Sequence, residues 1–188
     1  LAVLFGGGLD VLLPTYTQIL IKEQGGYLIK FFPLFLLGAI FGKLMDDSGS
    51  AQSIAQWIVA KVGKQRAILA IVLSCGLLTY GGVSLFVVAF AVYPIGTAMF
   101  RDVGMPKRFI PGAIALGSFT FTMTALPGTP AIQNAIPAPF FGTNAFAAPG
   151  LGIIGGLIML IGGTLSLQAR TKRAIAAGES YRNHANRG

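Results

Sequence analysis

Two short stretches carry the residue types from which a binding site could be built. The first is Thr79-Tyr80-Gly81-Gly82-Val83-Ser84, and the second runs from Thr124 through Leu126-Pro127-Gly128-Thr129-Pro130 to Gln133 and Asn134. Each sets hydroxyl or amide side chains beside residues that unwind a helix, because proline lacks an amide donor and glycine loosens the backbone. Each also interrupts strongly apolar sequence. Unwound backbone at membrane depth survives only where it is buried in protein or lines a wet cavity. Helix starts at such breaks expose free amides and the positive end of the helix dipole, which suit a carboxylate. The candidate ligands are Thr79, Gly81, Gly82, Val83 and Ser84 at the first break and Thr124, Gly128, Thr129, Gln133 and Asn134 at the second, with Thr122 and Thr124 lining the approach. The alternative is that prolines and glycines merely kink packed helices while the hydroxyls bond back to backbone. Two such stretches, on apolar segments joined by the short basic turn at 101–108, favour binding.

Catalysis finds no support beside this. His184 is the single histidine and lies in a polar tail, and Cys75 is the single cysteine and lies in an apolar run. A nucleophilic triad or a histidine–cysteine metal site cannot be assembled from one of each. Gly6-Gly7-Gly8 has no phosphate-loop lysine after it, so nucleotide binding is not indicated. The chain therefore reads as a non-enzyme without a bound cofactor.

The elements that must position the two breaks are apolar. The chain is 54% hydrophobic and 11% charged, with a mean hydropathy of +0.72, against about 25% charged residues in soluble domains. Residues 31–42, 67–100 and 151–168 carry no charge at all. A soluble domain of this length could not hide so much apolar surface, so the solvent is a lipid bilayer. The net charge of +8 gathers at the ends of apolar runs: Lys61, Lys64 and Arg66; Arg101, Lys107 and Arg108; Arg170, Lys172 and Arg173. That is the positive-inside pattern, which puts those loops in the cytoplasm and leaves nucleic acid unneeded as a partner.

The expected fold is all-α and polytopic. Residues 1–21 read as the end of a span, interrupted by Asp10 and Pro14, and 31–45 as a second crossing with snorkelling flanks. Residues 48–62 read as an amphipathic helix on the membrane surface, with Ile54, Ala55, Ile58 and Val59 on one face and Trp57 at the interface. Asp46 and Asp47 read as interfacial caps, Lys43 as a snorkelling residue. Residues 67–100 are too long for one span of about 20 residues and too short for two with a loop. With basic residues at both ends and a small, polar centre, they describe a re-entrant helical hairpin; two short tilted spans remain the alternative. Residues 109–136 form a broken transmembrane helix, and 151–167 a full, glycine-rich span. Three parts follow: 1–66 with scaffold-side helices and the interfacial helix, 67–148 with the hairpin and broken helix as a transport-type unit, and 149–188 with a last span and basic tail.

The run Phe35-Leu36-Leu37-Gly38-Ala39-Ile40-Phe41-Gly42, then Ser48-Gly49 and an amphipathic helix ending at Gly63, resembles the fourth helix of ion-transporter superfamily permeases. The hairpin 73–94 and the break at Gly128-Thr129-Pro130 to Asn134 are similar to the first hairpin and following broken helix there. Within the superfamily the likeness is to the GntP family of gluconate and related organic-acid permeases, over about the N-terminal half of such a protein. The resemblance implies one half of an inverted-repeat transporter and a homodimer in the inner (cytoplasmic) membrane. It also implies a carboxylate site shared by the two halves, with protons as the coupling ion. The function expected is secondary transport of a small organic anion such as a sugar acid or hydroxy acid. A non-transporting scaffold, a receptor or a channel is the alternative.

Overall fold

Ala67–Tyr80, which we call α3, explains most of the packing. Its sequence is apolar all round, as befits a helix with no solvent face, and Ala67, Ile68, Ala70, Ile71, Val72, Ser74, Cys75, Gly76, Leu78 and Thr79 are all buried. In this computed structural model, which describes residues 12–130 and 132–181, every other long element of its unit lies against it or against its hairpin partner. The described residues contain helices and no strand. They fall into two units, Leu1–Ile40 and Phe41–Gly188.

One helical course runs from Leu12–Pro14 through a π-helical turn, Thr15–Leu20, into α1, Ile21–Asp47, whose residues from Phe41 onward belong to the second unit. Tyr27 stacks on Phe31 and Phe35, with ring centroids 5.0 and 6.0 Å away. The expected gap between two crossings does not open. Lys22, Glu23 and Gln24 are good helix formers, and Gly25-Gly26 lie within the helix without a turn. The course Thr15–Asp47 is thus 33 residues long, one of three helices among the described residues long and apolar enough to cross a membrane; the others are Leu85–Asp102 and Pro149–Ala176. The Gly6-Gly7-Gly8 run, Asp10 and His184 lie outside the described residues.

In the second unit, α2 (Ser50–Val62) returns along α3, burying Ala51, Ala55 and Ile58. The Ser74 hydroxyl of α3 reaches the Ala55 carbonyl at 3.5 Å. The face the sequence assigns to lipid headgroups is therefore taken by protein, while Trp57 stays 61% exposed on the opposite side. Small residues at 51 and 55 allow that close approach.

A four-residue turn joins α3 to α4, Leu85–Asp102, making a helical hairpin. The turn closes α3 as a Schellman motif: the Val83 amide donates to Leu78 O at 3.1 Å and the Gly82 amide to Thr79 O at 3.0 Å. Gly82 holds φ +91°, a backbone state an L side chain resists. Val83 and Leu78, both nearly fully buried, supply the apolar contact that accompanies this cap.

After a basic turn, Lys107–Phe109, the broken segment runs through α5 (Ile110–Ala115), a π-helical turn (Leu116–Thr120) and α6 (Phe121–Thr124). It lies parallel to α3, with Gly117 against the Val72 carbonyl and Cys75, and Phe121 against Gly76. Two single turns follow the break, α7 (Ile132–Ala135) and α8 (Ala138–Phe141). The last helix, α9 (Pro149–Ala176), runs back along the broken segment, with Gly152 at the Ala125 carbonyl, Gly156 at Leu126 and Gly163 at Leu116.

These directions sort the molecule's ends. The starts of α3 and α5, the end of α4 and the end of α9 gather at one end with Arg66, Arg101, Arg108 and Lys172, as the charge pattern requires. Arg108 pairs with Glu179 at 2.8 Å, and Arg101 lies 5.4 Å from the Tyr181 ring. The α1–α2 turn, the hairpin tip and the break gather at the other end.

Candidate functional site

The two breaks read from the sequence meet in space. The Tyr80 hydroxyl, one residue before the tip, donates to the Pro127 carbonyl at 3.1 Å. A Cβ on Gly82 would sit 3.1 Å from Pro130 Cγ and 4.0 Å from the Phe41 ring, so the tip, the break and the 41–47 end of α1, all within the second unit, converge there. On the other flank a Cβ on Gly42 would meet Ser84 Cβ at 3.3 Å. Glycine at 42 and at 82 is what lets three backbones come this close.

Which groups remain free to bind is less obvious. The amides of Gly81, Gly82 and Val83 are spent on Leu77, Thr79 and Leu78 carbonyls, so three of the expected backbone ligands close the turn instead. The open donors lie one step further on. Ser84 begins α4 without a side-chain cap, and the first intrahelical amide bond is Val88 to Ser84 at 3.0 Å. The amides of Leu85, Phe86 and Val87 thus project from the start of an 18-residue helix at the positive end of its dipole. Ser84 itself is half-buried. Thr79 is 7% exposed, and its hydroxyl has no hydrogen-bond partner.

At the break, Ala125 to Pro130 are non-helical. Gly128 holds φ +79°, its amide bonds Ala145 O at 2.8 Å, and a Cβ there would meet the Phe146 ring at 2.7 Å. The loop 143–147 therefore folds over the break. Thr129 is 2% exposed, and Asn134 reaches back to its carbonyl at 3.3 Å. Thr124 turns away and bonds the Thr120 carbonyl, Thr122 bonds the Gly117 and Ser118 carbonyls at 3.1 and 3.3 Å, and Gln133 is exposed. The helix after the break has only four residues, Ile132–Ala135, because Pro137 and Pro139 stop it. The dipole expected on that side is correspondingly small, and the longer helix start at this end belongs to α4.

Between α3, α6 and α9 lies a cavity of about 360 Å³ lined by Gly76, Leu77, Tyr80, Thr122, Leu126 and Pro127 among others. Its walls are apolar and Thr122 is already engaged, so it is an approach or packing void beside the polar groups. Tyr80 and Gly42 were not singled out by sequence reasoning. The available signals were a polar aromatic directly before Gly81-Gly82, and Gly38 and Gly42 one helical turn apart.

Described residues that are all-helical, with three apolar helices of spanning length among them, make this a membrane protein. The model of the GntP family permeases matches residues 9–177, and the chain belongs to that family. Over 169 residues, 90% of the chain, it is 57% identical to an uncharacterized transporter, YxjC, of Bacillus subtilis (strain 168), of which the match covers 36%. Over 114 residues, 60% of the chain, it is 32% identical to the Gnt-II system L-idonate transporter of Escherichia coli (strain K12), of which the match covers 20%. The match thus covers about a third of the first relative's length, as befits a part of a longer transporter. Family and relatives are transporters, not enzymes. No solved structure matches the chain.

Proposed function

We propose that this chain is the hairpin-bearing part of a secondary active transporter for a small organic anion of the sugar-acid or hydroxy-acid class, coupled to protons. The observation that carries the reading is the convergence of two irregular segments, Tyr80 on Pro127 and Gly82 on Pro130, beside an uncapped helix start at Ser84. A carboxylate there would accept from the Leu85–Val87 amides and the Ser84 hydroxyl, with Thr79 supplying its unused hydroxyl. Family membership supports transport, and the L-idonate transporter among the relatives supports a hydroxylated carboxylate.

The hairpin is re-entrant in this reading. The 14 residues of α3 rise about 21 Å from the basic end and the 18 of α4 return about 27 Å to it. Both arms, although α4 has a span's length and composition, thus stop short of the ~30 Å hydrocarbon core. By the positive-inside rule that basic end faces the cytoplasm, from the inner membrane of the cell. An inverted-repeat second half would complete the site, two copies would form a homodimer, and rigid-body movement of the hairpin against its scaffold would alternate access.

The test is uptake by the complete protein in proteoliposomes, using gluconate, L-idonate, lactate and succinate with and without an inward proton gradient. Saturable uptake of a hydroxy acid, stimulated by the gradient, is expected. Ser84→Ala and Asn134→Ala should raise KM by several-fold with insertion intact; unchanged kinetics in both would remove the site assignment. Flux that never saturates would favour a channel.

A further inference from the structure

We propose that the cleft between the start of α3 and the end of α9 holds the phosphodiester of an anionic membrane phospholipid. The cleft is a second cavity of about 360 Å³, at the opposite end of the molecule from the candidate transport site. Its lining includes two cations, Arg66 from the turn that leads into α3 and Lys172 from α9, together with the amide side chains of Gln65 and Gln168. Both cations are exposed, and neither forms an ion pair among the described residues. Their neighbours are otherwise employed: Glu179 engages Arg108 and Tyr181 covers Arg101. The rest of the lining is mainly apolar, with buried Ile68 and half-buried Leu69 and Met105 as its floor and Ile175 43% exposed.

That combination selects an amphiphile over a free anion. Two unpaired positive charges and two amides suit a phosphodiester, while the apolar floor suits the glycerol and first methylenes joined to it. A free phosphate would leave that floor wet. The level fits as well, since α3 is uncharged from Ala67 onward and Arg66 is the last charge before the hydrocarbon. Basic pockets between membrane helices at this depth are where anionic headgroups settle. A lipid here would bridge the hairpin's first arm to α9. Lipid bound in this cleft does not depend on what the protein transports.

The experiment is native mass spectrometry of the complete protein, delipidated in neutral detergent and titrated with phosphatidylglycerol or phosphatidylcholine. Wild type should retain phosphatidylglycerol at least tenfold more tightly than phosphatidylcholine. Arg66→Gln/Lys172→Gln should lose about 10- to 30-fold in phosphatidylglycerol affinity. Arg170→Gln/Arg173→Gln removes the same net charge from outside the cleft and should lose little, and Arg66→Lys/Lys172→Arg should bind as wild type. Equal loss in both glutamine pairs would overturn the proposal, because the attraction would then be diffuse. If the first pair fails to fold, wild type decides: equal retention of both lipids, or displacement of phosphatidylglycerol by equimolar inorganic phosphate, would overturn it.

Discussion

Gly117→Ala should loosen the whole site from a position that touches no ligand. A Cβ at residue 117 would lie 2.5 Å from the Val72 carbonyl oxygen and 2.6 Å from Cys75 Cβ. Neither obstacle can rotate aside. The first distance is about 0.9 Å short of the 3.4 Å at which ordinary contact begins, so α3 and the broken segment must part by that much. Overpacking of this kind costs ~3 kcal/mol at the upper end of its usual range, and alanine's helix propensity returns up to ~1 kcal/mol. The net loss is about 2 kcal/mol, or roughly 4–8 °C in thermal midpoint for a chain of this size. Gly155→Ala is the control, since nothing lies within 4 Å of its Cβ position; it should be neutral or slightly stabilising. Separation of the two helices also stretches the 3.1 Å Tyr80–Pro127 hydrogen bond beyond useful length. Tyr80→Phe should therefore add almost nothing to Gly117→Ala, a strongly non-additive double-mutant cycle. Thermal melts and uptake on the four variants measure this. A Gly117→Ala protein as stable as the Gly155→Ala protein, or a fully additive cycle, would refute the packing argument.

Three further outcomes follow from local geometry. Tyr80→Phe alone removes one hydroxyl–carbonyl bond and should cost about 1 kcal/mol, read as a several-fold fall in uptake at unchanged expression; wild-type uptake would show that the contact is incidental. Gly82→Ala must hold φ +91° and press on Pro130; a penalty of about 1–2 kcal/mol for the left-handed state should appear as a lower thermal midpoint, and an unchanged melt would exclude this turn geometry. Cys75 is fully buried and should resist maleimide until the protein unfolds, whereas a Ser84→Cys variant in a Cys75→Ala background should label from water and be protected by a transported acid. Rapid labelling of native Cys75 would contradict its place between α3 and the π-helical turn.

Much of this was legible in the chain because bilayer physics constrains composition and charge so tightly. Apolar runs, basic ends and the two interrupted stretches required helices, a hairpin at 67–100 and a break at Pro127–Pro130, and those elements are present. Misreadings arose where local sequence underdetermines context. Lys22-Glu23-Gln24-Gly25-Gly26 looks like a loop by polarity, yet nothing in it stops a helix. The apolar face of α2 suits a membrane surface and a protein surface equally, and Ala51 and Ala55 decide for protein because small residues permit helix contact.

The sequence by itself determined that the chain is a helical membrane protein, where its helices are interrupted, and which ends carry the positive charge. These are one-dimensional properties, set by transfer free energy and by the backbone limits of proline and glycine. Tertiary structure alone decided which donors stay free. A Schellman turn consumes the Gly81–Val83 amides and leaves those of Leu85–Val87 open, and Thr124 bonds its own helix. Whether a hydrogen-bonding group is spent or available depends on the partner that folding brings to it, and Tyr80 finds its partner 47 residues away.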